Sequence, residues 1–197
     1  MIIIKKINTN EEFEDAITSL TEIFIDEYPY YETWIRKNIT QFELGEKQIL
    51  SINSDDELCG YLMIHFCRKN IVKINGIYVF EDYKGKGIAS VAIQELTTLL
   101  KNNGVDLVFV QTRLENNAVV HLFDKTGYNL IGTNYHKVEM KDNWVACNDL
   151  TGEIPNIFEI AYNIYDGYNY LSDEQINKIK DKYKDANLVL SKTKKKK

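Results

Sequence analysis

The sequence has no stretch long and apolar enough to span a bilayer, which takes roughly 20 apolar residues in helical form. Its opening apolar run, Met1-Ile2-Ile3-Ile4, gives way at once to Lys5 and Lys6. A secretory leader would need a longer apolar core and a small-residue cleavage site, so a cytoplasmic location without membrane association is expected. Cysteine is scarce: Cys59, Cys67 and Cys147 are odd in number and form no Cys-x-x-Cys pair. They are expected to be reduced thiols, and no partners stand at a spacing that would make a zinc site or a catalytic thiol. Positive charge is also in deficit, with 24 Lys and Arg against 29 Asp and Glu for a net charge of -5. A mildly acidic domain is a poor general binder of phosphate backbones, so nucleic acid is not the expected partner. No internal repeat is present.

What is present suits one domain with a sizeable core and an appendage, since the chain has 197 residues of which 44% are hydrophobic. Ile2 to Ile7 reads as a strand. Thr9 and Glu12 have the spacing of a capping box, in which a hydroxyl and a carboxylate satisfy orphan amides reciprocally. Phe13, Ile17, Leu20 and Phe24 then recur at helical spacing. Pro29 breaks the pattern, and a second helix is expected from Thr33 to Leu44, ending at Gly45. A meander follows, with strands at Gln48 to Asn53, Leu58 to Cys67 and Ile71 to Val79.

The period then changes. Lys84-Gly85-Lys86-Gly87 forms a glycine-rich turn, and Ile88, Ala92, Leu96 and Leu100 line one face of a helix. Glycine lets backbone approach an anion closely and take positive φ. The amides and dipole of the new helix face the same point, and Lys84 and Lys86 add charge. Alone, such a turn fits any phosphate or merely reverses the chain. No Gly-Lys-Ser/Thr ends it as in a Walker loop, and Ser90 stands where a dinucleotide fingerprint needs its third glycine.

Further on, Val105 to Val110 alternates little, as in a strand covered on both faces. Asn116 to Thr126 reads as a helix stopped by Gly127, with short strands expected near Tyr128 to Gly132 and Tyr135 to Met140. From about Asn143 the composition changes, tyrosine becomes frequent, and two helices are expected at Ile157 to Tyr165 and Asp173 to Lys184. Ser172 and Gln175 form a second capping box. The basic end, Lys192 to Lys197, is expected to be disordered.

Strand, glycine turn and helix together resemble the central motif of the GNAT superfamily of N-acetyltransferases. The family's Arg/Gln-x-x-Gly-x-Gly/Ala becomes Lys84-Gly85-Lys86-Gly87-Ile88-Ala89 here. Its Asn-x-x-Ala-x-x-Leu-Tyr-x-Lys-x-Gly-Phe segment is matched by Asn116 to Tyr128. The resemblance covers about Ile2 to Met140. It implies an α/β fold: a mixed, splayed central sheet with helices on both faces, here with a helical C-terminal extension. Residues 1–142 would be the acetyltransferase domain, 143–190 the extension and 191–197 the tail. The splay would lie between the strands at Ile71 to Val79 and Val105 to Thr112.

Acetyl-CoA is the implied co-substrate, with no metal. Its pantetheine would pair with Ile77, Tyr78 and Val79, and its pyrophosphate with Lys84, Gly85, Lys86, Gly87, Ile88 and Ala89. Asn116 would contact its far arm. The acceptor, a primary amine, would enter near the first two helices and attack directly. An alkyl ammonium has a pKa near ~10.4, so a base or a depressed pKa is needed. His65 is a candidate base, or else a satisfied strand histidine, and Tyr78, near the expected acyl site, is a candidate catalytic residue or a packed aromatic. The sequence departs from the family at Lys84, at Phe123, where a tyrosine acid is common, and at Lys73, where some members carry a glutamate base. Lys84 still suits a phosphate, while Phe123 and Lys73 keep a non-catalytic acyl-CoA-binding module open. A toxin-like aminoacyl-tRNA acetyltransferase, using the lysine tail, is a further alternative. The C-terminal helices are expected to cover the sheet's open end or to form a homodimer contact.

Overall fold

The structure, a computed structural model, describes residues 1–26, 28–136 and 141–185. Strands β1 (Ile2–Lys6), β2 (Lys47–Ser54), β3 (Glu57–Arg68), β4 (Ile71–Val79), β5 (Leu107–Arg113), β6 (Asn129–His136), β7 (Lys141–Asp149) and β8 (Tyr168–Tyr170) form one sheet. Their order is β1-β2-β3-β4-β5-β7-β6-β8. β4 and β5 are parallel, and the other pairs are antiparallel. The helices are α1 (Asn10–Phe24), α2 (Tyr31–Lys37), α3 (Ile39–Glu43), α4 (Ile88–Asn102), α5 (Asn117–Asp124), α6 (Ile157–Ile164) and α7 (Asp173–Tyr183).

Both faces of the sheet are covered. Ile88, Ala92, Ile93 and Leu96 of α4 and Leu122 of α5 bury one face with Leu62, Val72, Ile74, Val108 and Val110. On the other face, Ala16, Ile17 and Leu20 of α1 pack on Ile49, Tyr61 and Met63, while Ala161 and Tyr165 pack on Leu107, Phe109 and Val145. Leu107 to Val110 are consecutively buried, which is why β5 shows no alternation. Both capping boxes are formed, at Thr9 with Glu12 and at Ser172 with Gln175.

The single helix expected from Thr33 to Leu44 is two short ones parted at Asn38. That side chain donates to the Trp34 carbonyl at 2.6 Å and accepts from Lys47 Nζ at 2.8 Å. Its local bond competes with the helical ladder, as asparagine side chains do. The two short strands expected after α5 are instead one strand, β6, followed by β7, which inserts between β5 and β6. Residues 137–140 of the second expected strand lie outside the described residues. β7 hid because Asn143 to Cys147 are all buried, Asn143 included, leaving no period-two pattern. A boundary at 142/143 therefore falls inside β7. The C-terminal extension does contain the two expected helices. α7 docks beside α5, with Asn117 Nδ2 donating to the Tyr183 carbonyl at 2.6 Å. The basic end lies outside the described residues.

Candidate active site

The site begins where two parallel strands part. β4 and β5 pair from Ile71 with Leu107 to Ile74 with Val110, and no further. β4 continues to Val79 along β3, and β5 to Arg113 along β7. Among the described residues, no strand pairs with the facing edges of residues 75–79 and 111–112, and a wedge opens between them. A β-bulge sits at its apex. Met63 pairs with Gly76 and Ile64 with Ile74, so Asn75 is the extra residue. An extra residue reverses the alternation beyond it. Lys73, Gly76 and Tyr78 consequently lie on the α1–α3 and α6 side of the sheet, while Ile74, Ile77 and Val79 lie on the α4 side. The Asn75 side-chain oxygen is buried without a hydrogen-bond partner.

The glycine turn stands at the open end. After β4, one 3-10 turn at Glu81–Tyr83 leads into Gly85 and Gly87, whose φ values are +75° and +77°. Gly87 immediately precedes α4 and offers no side chain to its first amides. Among the described residues, none of the amides from Gly87 to Ala89 donates to a protein acceptor. A Cβ added at Gly85 or Gly87 would meet nothing within 4 Å, so the cradle is open. Lys84 donates to Glu81 at 2.8 Å and lies 5.1 Å from the centre of the Tyr78 ring. Lys86 lies 5.3 Å from the centre of the Tyr83 ring. Amides at a helix start, flanked by exposed lysines, form a donor set suited to an anion.

Tyr78 is half-buried, with its ring 5.6 Å from Phe24 and 6.1 Å from Phe80. Asn116 caps α5, accepting from the Val119 amide at 3.3 Å. Phe123 is buried edge-to-face against Tyr128, with 5.0 Å between ring centres. No proton donor stands at that position. His121 is exposed, as are Glu81 and Asp82.

Three strands bring together side chains that are far apart in sequence. Lys47 pairs with His65, and His65 with Lys73, in one cross-strand row. Lys47 is buried, bound to Asn38 and lying 4.7 Å from the centre of the Trp34 ring. Lys73 donates to Gln111 Oε1 at 3.0 Å and lies 4.4 Å from the centre of the Tyr165 ring. Burial holds the Lys73 ammonium down to about 8, against an upward pull from Cys67 that outweighs the smaller downward push of the Lys47 charge. Burial and the two neighbouring lysines also lower the His65 imidazole below its usual range, opposed by a smaller upward pull from Glu46. His65 is therefore neutral at neutral pH and has a lone pair to offer. Sequence reasoning singled out His65 and Lys73 but missed Lys47 and Gln111. The available signal was a charge in an otherwise apolar strand position, Lys47 preceding Ile49 on one face.

The sequence profile of the Acetyltransferase (GNAT) family matches residues 13–128, and the chain belongs to that family. Over 66 residues it is 35% identical to the uncharacterized N-acetyltransferase YobR of Bacillus subtilis (strain 168), a stretch that is 34% of this chain and 27% of that protein. The matched segment is thus well under two thirds of that relative. Among solved structures, the spermidine N-acetyltransferase of Vibrio cholerae in complex with CoA and spermine superposes with a TM-score of 0.60. Its identity is 12%, and the match covers 76% of this chain and 96% of that one. The ribosomal-protein-S18-alanine N-acetyltransferase of Escherichia coli gives a TM-score of 0.60 at 15% identity, covering 79% and 98%. At these identities the likeness establishes the shared fold. Among the described residues, no helix is long and apolar enough to cross a membrane.

Proposed function

We propose that the chain is an N-acetyltransferase that moves an acetyl group from acetyl-CoA to a primary amine by direct attack. The observation that carries this reading is the wedge between β4 and β5 with the open amide cradle at its mouth. The amides of Gly85 to Ala89 would hold the diphosphate, with Lys84 and Lys86 beside it. The free edge of Ile77, Tyr78 and Val79 would pair with the amide-bearing arm, and Asn75 has an acceptor oxygen in want of a donor there. Asn116, which caps α5, is assigned to the far arm. The coenzyme supplies an activated thioester. The amine nitrogen bonds to its carbonyl carbon, the carbon–sulfur bond breaks, and the ammonium proton must leave.

His65 is the proposed acceptor of that proton, relayed through water from the wedge, because burial and the two neighbouring lysines favour its neutral, proton-accepting form. Tyr78 is the proposed donor to the departing thiolate; its role is tested by Tyr78→Phe, which should lower kcat and leave coenzyme affinity unchanged. A second reading is a coenzyme-binding module without turnover. It is favoured by Phe123, which puts a ring edge rather than a hydroxyl against Tyr128. Calorimetry with acetyl-CoA, then thiol release over a panel of polyamines, amino acids, aminoglycosides and peptides, separates the two. Amine-dependent thiol release supports the enzyme. Tight binding with no transfer across the panel supports the module, and absence of acetyl-CoA binding removes both.

A further inference from the structure

We propose that the acceptor amine carries a carboxylate group, and that Lys47 and Lys73 receive it on the face of the sheet opposite α4. This rests on the acetyltransferase reading above. Lys47, His65 and Lys73 occupy adjacent positions on β2, β3 and β4, so their Cα atoms lie in one line across three strands. The two lysines are two strands apart, roughly 10 Å at ordinary strand spacing. Each ammonium is largely withdrawn from water, yet its partners are neutral: Asn38 and the Trp34 ring for Lys47, Gln111 and the Tyr165 ring for Lys73. Among the described residues, no carboxylate lies within ion-pair distance of either. Exposed Glu46 acts on Lys47 and His65 only through its field, and the remaining titratable neighbour is the Cys67 thiol. The Lys47 charge also disfavours the charged form of Lys73, and among the described residues the row lacks a paired anion.

Desolvated charge without a counter-charge is destabilising, and folded proteins keep such arrangements chiefly at functional sites. The row is placed for that use. His65, Lys73 and Cys67 remain partly accessible between the α1–α3 cover and the α6 cover. Lys73 lies a few residues along β4 from Gly76, about 10 Å at the rise of a strand, where the wedge opens. A carboxylate bound at the partly accessible Lys73, with buried Lys47 acting through its field from the other end of the row, would direct the rest of an extended acceptor toward the wedge. The same row repels a polycation, which would bring ammonium groups against ammonium groups.

The test is calorimetry with probes of one length and opposite charge, glutarate and 1,5-diaminopentane, on the full chain with and without acetyl-CoA. Glutarate is expected to bind roughly ten- to a hundredfold more tightly than the diamine, the worth of one or two charge-assisted hydrogen bonds. Lys73→Met and, separately, Lys47→Gln should each remove most of that preference, and Lys73→Arg should restore part of it. Equal binding, preference for the diamine, no binding of glutarate, or a preference surviving both substitutions would overturn the proposal. Glutarate binding by a chain that fails to bind acetyl-CoA would instead remove the acetyltransferase reading and leave the carboxylate receptor standing.

Discussion

The two ends of the wedge handle charge in opposite ways. At the glycine turn the positive character belongs to main-chain amides and to two exposed lysines, all of them solvated until a ligand arrives. Nothing there is strained by waiting, because orphan amides at a helix start are satisfied by water. Across the middle of the sheet the charge belongs to Lys47 and Lys73, held half or more out of water against neutral partners. That arrangement costs stability whenever it is empty. The contrast explains a division of labour. In the proposed reading, a coenzyme common to a whole family would be gripped by backbone, which any sequence can supply once glycine permits the turn. An acceptor peculiar to one member would be gripped by side chains, which can change one at a time without disturbing the cradle.

The largest effect is expected on the backbone side. Gly87→Glu places a carboxylate in the cradle and a side chain on a residue with φ of +77°. The surrounding space is open, so the fold tolerates the bulk; the left-handed backbone adds about 1–2 kcal/mol of strain. Acetyl-CoA affinity measured by calorimetry is expected to fall by more than about a hundredfold, through like-charge repulsion of the diphosphate. Retained affinity with an intact melting transition would relocate the coenzyme site.

The side-chain end answers to pH. Burial lowers the Lys73 ammonium from 10.5 to about 8, so the folded state binds this proton less well than the unfolded state does. Above about 10.5 both states are neutral at this group and the burial carries no penalty. The penalty builds as pH falls from 10.5 toward 8 and is fully present below 8. The difference corresponds to about 3 kcal/mol, from which loss of the Gln111 hydrogen bond subtracts about 1. Lys73→Met is therefore expected to stabilise the chain by about 2 kcal/mol at pH 7 in urea denaturation. The advantage should shrink between pH 8 and 10.5. A variant less stable than the parent at pH 7 would show that Lys73 is structurally compensated, and the contrast between the two ends would fail.

The same contrast governs what was legible in the sequence. The cradle could be read because its chemistry is local: Lys84 to Ala89 are contiguous, and Gly85 and Gly87 announce their backbone. Asn116 to Tyr128 was legible for the same reason, with Asn116 capping its helix and Gly127 ending it. β5 betrayed its double burial by an unbroken apolar run. The lysine row could not be read, because Lys47, His65 and Lys73 are brought together only by strand register. Register on β4 also depends on the bulge at Asn75, which no local pattern marks. β7 was missed because a buried asparagine at its start mimics a loop. The break at Asn38 was missed because its partner, Lys47, comes from the next strand.

A smaller effect tests whether the second motif is structural or contacts ligand. Asn116→Ala removes the oxygen that accepts from the Val119 amide. Loss of a helix cap costs about 1 kcal/mol, visible as a shift in the denaturation midpoint with unchanged slope. If Asn116 also touches the coenzyme's far arm, acetyl-CoA affinity should weaken beyond what that destabilisation imposes on a chain that is still almost wholly folded. Unchanged affinity beside the expected loss of stability would assign Asn116 to the helix alone.

The smallest effect concerns Lys84, whose position carries the family's usual Arg or Gln. Its ammonium is paired with Glu81 at the surface, with both side chains well exposed. Such a pair is worth at most a few tenths of a kcal/mol, so Lys84→Ala should leave the melting temperature within error of the parent. Coenzyme affinity should fall only several-fold, and the loss should diminish as salt is raised, because a flexible cation beside an amide cradle contributes mainly through the field. Lys84→Arg should recover most of it. A hundredfold loss on Lys84→Ala would mean that side chains, not backbone amides, dominate the donor end as well, and the proposed division between the two ends of the wedge would disappear.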